Sequence, residues 1–475
     1  MLHRVTPANG VPVRSGDYVL YWMIAARRTV HNFALDHALA KARELDRPLV
    51  VFEPLRAGYR WASDRMHAFV IAGMTDNARA FAKAGITYVP YVEPAPGEGT
   101  GLLAALAKRA CLIVTDEQPG FFLPRMIAAA AKLDTRVETV DGNGILPLRA
   151  TDRAFATAAS FRRQLQKIIA PYLGMRPTSR PLARVAGGVK DGAVAGAILR
   201  KWSSQPVLAK LPIDHGVPPI AGGGAVAGGK RLDTFIEDGL ARYAEDRNQP
   251  DHDPSSGLSP YLHFGHVSAH QIVERVWADA EWDPSRISDK VTGSREGWWG
   301  APATHEAFLD QIITWRELGY GFCFHRRDFD QYGALPDWAR ATLAKHARDP
   351  RPHRYTLAQL DAAETYDPVW NAAQRQLRAE GIIHNYLRML WGKKILEWSA
   401  TPQTALAAMI ELNNKYALDG RDPNSYSGIF WTLGRFDRPW APIRPIFGCI
   451  RYMSSASTLK KLRLKQYLAR WAPAQ

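Results

Sequence analysis

The chain has 475 residues, is 46% apolar and carries a formal net charge of +15, so it has room for two or three domains and favours a polyanionic partner such as nucleic acid. Cys111, Cys323 and Cys449 are scattered without CxxC spacing, which excludes a disulfide framework and a thiolate metal or iron–sulfur site; no metal is expected. The N-terminus lacks the apolar core of a signal peptide and no apolar run is long enough to span a bilayer, so a cytoplasmic protein without membrane contact is expected.

Segment 17–23 (Asp-Tyr-Val-Leu-Tyr-Trp-Met) reads as a buried strand, followed by a helical stretch to residue 45. Segment 48–52 is a second strand and 66–84 a second helix; 86–92, 111–115 and 136–140 continue the alternation. Strands alternating with helices at this spacing imply a doubly wound, mostly parallel sheet, which usually carries its ligand at the carboxyl ends of the strands. No GxGxxG follows the first strand. Gly97-Glu-Gly-Thr-Gly101 precedes a helix and reads either as a phosphate cradle or as a surface loop.

The β pattern stops near Thr151. Residues 176–230 are rich in Pro, Gly and Ala, end in Gly222-Gly-Gly-Ala-Val-Ala-Gly-Gly-Lys230, and read as an interdomain connection. Beyond Arg231 the pattern is almost wholly helical, over 232–247, 260–278, 305–324, 335–346, 367–397 and 401–416. The expected organisation is an α/β domain over 1–150, a linker over 151–230 and an all-α domain over 231–475.

In the helical part, Trp370, Trp391 and Trp398 are 21 and then 7 residues apart. Seven residues make about two helical turns, which puts Trp391 and Trp398 on one helix face. Indoles at helical spacing fill cores, and closely spaced indoles also serve as stepping stones for single electrons; the two readings are compatible. Tyr243-Ala-Glu-Asp-Arg-Asn248 and Ser255-Ser-Gly-Leu-Ser259-Pro-Tyr-Leu-His-Phe-Gly265 set hydroxyls and a glycine before a helix. That arrangement suits a phosphate, or is an ordinary N-cap with Ser259 preceding Pro260. Leu412-Asn-Asn-Lys-Tyr416 and Asp419-Gly-Arg-Asp-Pro-Asn424 collect polar groups in an otherwise apolar region.

Together with Trp315-Arg-Glu-Leu318, Trp370-Asn-Ala-Ala-Gln374 and the run 384–398, these stretches resemble the class II cyclobutane-pyrimidine-dimer photolyases of the photolyase/cryptochrome superfamily. The similarity extends from Tyr21-Trp-Met23 to Arg451-Tyr-Met453. It implies an α/β N-terminal domain with a doubly wound parallel sheet, plus an all-α C-terminal domain that binds FAD. On the matched positions, Tyr243, Ser255, Ser256 and Ser259 would contact the FAD phosphates. Asn413 would sit at flavin N5, with Arg388 and Asp419 close to the ring. Trp398, Trp391 and Trp370 match the electron-transfer triad. Trp315 and Trp431 match the aromatic clamp on a flipped-out dimer, and Met389 and Arg451 match positions at the lesion pocket and the DNA opening. The implied activity is light-driven electron transfer from reduced FAD, splitting cyclobutane dimers in UV-damaged DNA; a monomer is expected. Residues 435–475 carry nine Lys or Arg against the single acid Asp437, a stretch suited to DNA phosphates.

The chain also departs from the family pattern. Gln311 stands where the family has a glutamate that hydrogen-bonds the dimer, four residues before Trp315; a glutamine still donates a hydrogen bond but releases no proton. Asp310 is its neighbour and points about 100° away on an α-helix. Asn385 replaces the glycine after His384, adding a side chain beside the expected substrate pocket. Ala26 and His31 replace acidic residues, and Asp116-Glu-Gln-Pro119 differs from the usual aspartate-led motif, which bears on any antenna chromophore. Two further readings therefore stand beside dimer repair: a light-independent flavin enzyme acting on a small metabolite, and a cryptochrome-like photosensor.

Overall fold

A computed structural model describes residues 3–184, 202, 207–252 and 254–473, and its contacts divide the chain into two compact units. The first comprises Met1–Thr151, Ile169–Asp233 and Gly257–Ala278; the second comprises Asp152–Ile168, Thr234–Ser256 and Asp279–Gln475.

The first unit is built on a six-stranded sheet of order β1-β6-β5-β2-β3-β4. The strands are β1 (Val5–Pro7), β2 (Tyr18–Trp22), β3 (Leu49–Leu55), β4 (Thr87–Val92), β5 (Ala110–Asp116) and β6 (Arg136–Val140). All pairs are parallel except β1 against β6. The sequence pattern foretells five of these strands; β1, three residues on the edge, is too short to show a period. Alternate residues of β2 serve opposite cores. Val19, Tyr21 and Met23 pack with Phe33 and Leu35 of α1 (Phe33–Glu44) and Phe81 of α2 (Asp64–Ala84). Tyr18, Leu20 and Trp22 pack with Leu102 and Leu106 of α3 (Leu102–Ala107) and Met126 of α4 (Leu123–Ala130). Helices cover both faces, so the central strand β2 is apolar and buried along its whole length, as parallel strands covered on both sides tend to be.

The strand order reverses between β2 and β5, which is where such sheets open a ligand crevice. Here a carboxylate of the chain fills the position. Asp116 Oδ2 accepts the backbone N–H groups of Ile24, Ala25 and Ala26 at 2.8–2.9 Å, and Asp116 Oδ1 accepts the Tyr21 hydroxyl at 2.7 Å. Glu93 treats the 97–101 loop likewise, accepting Gly97 N–H at 3.0 Å and Gly99 N–H at 3.3 Å. With its amides bonded inward to a carboxylate, that segment is a surface loop and not a phosphate cradle.

Several expected helices are broken. The 176–230 connection lies partly outside the described residues, but its glycine-rich end is helical over Ala225–Thr234. Gly228 sits there because a Cβ would come within 2.5 Å of Val267. The 260–278 helix is two, Ser259–His263 and Ala269–Asp279, interrupted at Gly265 (φ +72°). The 305–324 helix holds a π-helical stretch, Asp310–Trp315. The 367–397 helix is two antiparallel-running pieces, Pro368–Glu380 and Asn385–Trp398, separated at Gly381 (φ +65°), a left-handed position that only glycine takes without strain.

At Gly265 an added Cβ would lie 1.7 Å from the Ala25 carbonyl oxygen, on a backbone that already disfavours a side chain. Gly265→Ala is expected to destabilise the first unit by about 2 kcal/mol or more, combining left-handed strain with overpacking. A lowered urea midpoint at unchanged denaturant slope is the measurement; an unchanged midpoint would contradict the close approach.

Candidate active site

The reversal at Gly381 brings together tryptophans that a continuous helix would hold far apart. In one straight helix Trp370 and Trp391 would be about 31 Å apart. Folded back, their ring centroids lie 6.5 Å apart with planes 2° from parallel. Two hydrogen bonds set this register. Trp370 Nε1 donates to the Trp391 carbonyl at 3.0 Å, and Trp391 Nε1 donates to Gln374 Oε1 at 2.9 Å. The start of the Pro368–Glu380 helix is itself fixed by Asp367, whose carboxylate accepts the N–H groups of Val369 and Trp370, with Pro368 in the first turn.

Trp398 meets Trp370 edge-on at 5.4 Å and 72°. Trp391 and Trp398 share a helix face, as their spacing indicates, but seven residues separate them by about 10 Å along the axis. Trp370 fills that interval, so the spatial order is Trp391, Trp370, Trp398. All three are at most 3% exposed. Beyond Trp398 stand Tyr355 at 5.2 Å and Tyr366 at 5.9 Å, and Tyr366 is 53% exposed. The aromatic row thus runs from the interior to the surface.

One turn before Trp391, Arg388 pairs with Asp419, its Nη2 donating at 3.1 and 3.3 Å to the two carboxylate oxygens. Asn413 closes the Pro402–Tyr416 helix next to that turn; its carbonyl accepts Ala417 N–H at 2.8 Å and its amide nitrogen donates to Ser425 Oγ at 2.8 Å. Arg388, Asn413 and Asp419 are therefore gathered where two helices and a turn meet. Tyr243 lies elsewhere in the second unit, its ring buried edge-on against Phe235 and Phe308. Ser255 and Ser256, both half-buried, fall in the second unit, and Ser259, exposed, in the first. Ser259 is the first residue of its helix rather than the cap: Leu258 occupies the capping position and no side chain caps the turn.

Gln311 is half-buried and its side chain has no hydrogen bond among the described residues. Asp310 is removed from any such role, because Arg162 binds both its oxygens, at 2.8 and 3.0 Å, in the interior. Trp315, half-buried, ends the π-helical stretch and leads into the Arg316–His325 helix. That helix packs closely on Pro423–Thr432, which carries Trp431: a Cβ on Gly319 would lie 2.9 Å from Asn424 Cα. Lys393 Nζ lies 5.0 Å and the Arg451 guanidinium 5.5 Å from the Trp431 ring centre. Arg451 also stacks on Trp440 at 3.9 Å and pairs with Asp437 at 2.8 Å. Met389 is half-buried and Asn385 exposed at the start of its helix.

The basic stretch divides. Arg435 is buried, donating to the Ala334 carbonyl and lying over Phe322, so it is a structural residue and no part of a phosphate-binding face. Arg438, Arg444, Lys460, Lys461, Arg463, Lys465 and Arg470 are exposed.

Two further residues of this region, Gln374 and Lys393, take part in its packing. Gln374 lies four residues after Trp370, hence on the same helix face, a spacing that marks it once Trp370 is chosen. Lys393 gives no such signal: a lysine beside another lysine reads as solvated, yet its side chain is fully buried and donates to the Thr432 carbonyl at 2.6 Å.

The fold is that of the photolyase/cryptochrome proteins. It superimposes on a bacterial class III photolyase from Agrobacterium tumefaciens with a TM-score of 0.67 and 18% identity, covering 98% of this chain and 88% of that one. On a cryptochrome of Synechocystis the TM-score is 0.68 at 15% identity, covering 97% and 89%. No family model matches the chain. Among curated proteins, the deoxyribodipyrimidine photo-lyase of Methanothermobacter thermautotrophicus is 31% identical, over 99% of this chain and 98% of its own length. That of Oryza sativa is 32% identical over 98% and 89%, and that of Potorous tridactylus 32% over 96% and 81%. The chain belongs to the deoxyribodipyrimidine photo-lyase family of enzymes. Among the described residues no helix is long and apolar enough to cross a membrane.

Two outcomes test the site's electrostatics. Asp419→Ala leaves the Arg388 guanidinium without its counter-charge in a largely buried place and is expected to cost on the order of 3 kcal/mol, read from the urea midpoint. Burial brings Lys393 down from 10.5 to about 7. The unfolded chain then binds more protons between those values, and stability contributed at this residue rises with pH across that window. Lys393→Met is expected to raise stability by about 1–4 kcal/mol at pH 6, with the gain shrinking as pH rises toward 10. A gain independent of pH would show that Lys393 keeps an ordinary proton affinity.

Proposed function

We propose that this protein is a class II photolyase that splits cyclobutane pyrimidine dimers in UV-damaged DNA by light-driven electron transfer from reduced FAD. The observation that carries this reading is the contiguous indole row Trp391–Trp370–Trp398, which begins one helical turn from the Arg388–Asp419 pair and ends at an exposed tyrosine. The donor set fits a flavin ring: a guanidinium held in place by a carboxylate, and a neutral carboxamide at Asn413 that is 3% exposed. A cation and a neutral amide favour an electron-rich ring, whereas a lone carboxylate would oppose it. When bound and reduced, FAD supplies the photoexcited electron that opens the cyclobutane ring and takes it back afterwards.

The chain's residues would then divide the work. Arg388, Asp419 and Asn413 hold the ring system, and Tyr243, Ser255, Ser256 and Ser259 hold the phosphates. Trp391, Trp370 and Trp398 relay electrons inward from the surface. Trp315 and Trp431 clamp the extruded dimer, whose poor stacking makes extrusion cheap, with Met389 and Asn385 at the pocket. Arg451 enters the DNA opening and the exposed basic residues after Arg435 meet phosphates, so that affinity should fall steeply with salt. The α/β region over 1–150, the connection over 151–230 and the helical region over 231–475 would act together as a monomer.

Gln311 would donate its amide N–H to the dimer carbonyls in place of a carboxylic acid. A carboxylic acid O–H is a stronger donor than an amide N–H to the anionic dimer; at about 1.4 kcal/mol of added stabilisation, Gln311→Glu is expected to accelerate splitting roughly tenfold. The test is illumination of the reduced protein with a thymine-dimer oligonucleotide, following recovery of absorbance at about 260 nm, the nucleobase band, against a dark control. Light-dependent recovery, faster in the glutamate variant, supports the reading. No recovery with flavin bound and reduced would move the assignment to a flavin enzyme acting on a small molecule.

A further inference from the structure

We propose that Gln374 is a positioning residue of the electron relay: it locks the ring of Trp391 parallel to that of Trp370 and holds the indole proton in place while the pair is oxidised. The inference rests on the light-driven reading above and goes beyond it, since nothing in that reading needs a particular partner for either indole N–H.

Both N–H groups of the stacked pair are spoken for, Trp370 Nε1 by the Trp391 carbonyl and Trp391 Nε1 by Gln374 Oε1. Gln374 is fully buried, and its own amide nitrogen donates to the Asp361 carbonyl at 3.4 Å, which fixes which end of the amide faces Trp391. Each acceptor is thus an amide-type oxygen, which takes up a proton only in strong acid. Among the described residues no carboxylate, imidazole or hydroxyl accepts a hydrogen bond from either indole.

That choice has a chemical consequence. When Trp391 gives one electron to the light-excited flavin, the flavin is reduced by one electron and the indole becomes a radical cation, a far stronger acid than the neutral ring. Next to a base it would shed the Nε1 proton and become a neutral radical, which accepts an electron from Trp370 only if a proton returns. Next to Gln374 the proton stays on Nε1. One electron then passes from Trp370 to Trp391, and another from Trp398 to Trp370, with no proton crossing the interior. The parallel rings, 6.5 Å apart, favour that exchange further, because neither has to reorient.

The experiment confines the hole to the pair with Trp398→Phe in the flavin-loaded protein and reads transient absorption, in which the indole radical cation absorbs at longer wavelength than the neutral radical. The expected result is the cation alone, decaying at the same rate in light and heavy water. Adding Gln374→His supplies a base, and the long-wavelength band should be lost in favour of the neutral radical, with a solvent isotope effect on decay. A readout in the dark needs no photochemistry: the indole ¹H–¹⁵N resonance of Trp391 should shift upfield and exchange faster in Gln374→Leu. The proposal is overturned if the Trp398→Phe protein with Gln374 intact already yields the neutral radical, or if Gln374→Leu leaves that resonance unmoved. Absence of any indole radical in the flavin-loaded parent would overturn the light-driven reading itself, while the dark resonance would still report whether Gln374 holds Trp391.

Discussion

The helical unit depends on two hydrogen bonds given by tryptophan. An indole N–H can only donate, and when buried it usually finds an acceptor, as Trp370 and Trp391 do and Trp398, among the described residues, does not. Trp370 finds one on the backbone of the neighbouring helix, and Trp391 finds one on the side chain a turn beyond Trp370. The two bonds run in opposite directions between the same pair of helices, so together they fix the sliding of one helix along the other. Neither could form without the left-handed turn at Gly381, and the turn alone would not decide which rings face each other. The stack and the insertion of Trp370 between Trp391 and Trp398 follow from this register.

A different constraint shapes the sheet unit. Three successive backbone N–H groups after β2 converge on Asp116, and two N–H groups of the 97–101 loop converge on Glu93. Such convergence is what anion sites in other sheets offer to phosphate. In this protein buried carboxylates occupy it, which ties the loops at the carboxyl ends of the strands to the sheet. Glu53 shows the same economy: fully buried, it is satisfied by Arg27, Asn77 and Tyr88.

The region around Trp431 is organised by cations and rings in alternation. Arg438 lies on Trp440, Arg451 lies between Trp440 and Trp431, and Lys393 covers Trp431 from within the core. Asp437 is the one acid among them, pairing with Arg451 and accepting from Trp440. Cations on aromatic faces are stabilised without neutralising their charge. The strip therefore sets the Arg438 and Arg451 guanidinium groups against the rings of Trp440 and Trp431.

The alternation of strands and helices, the switch to an all-helical pattern after about residue 231, and the identity of the polar and aromatic motifs were legible in the amino-acid order, because each depends on local periodicity or on residue type. Trp391 and Trp398 could be placed on one face for the same reason. What the order could not supply was the partner across space. Nothing in the spacing of 21 residues says that Trp370 enters between the other two, since a continuous helix and a hairpin of helices share the same period up to Gly381. Burial of Lys393, withdrawal of Asp310 by Arg162 and the inward turn of Arg435 were equally hidden: a charged residue next to other polar residues looks solvated until packing encloses it. Sequence fixes what each side chain is able to do; which donor meets which acceptor was settled only when the chain reversed at Gly381 and closed the distance from about 31 Å to 6.5 Å.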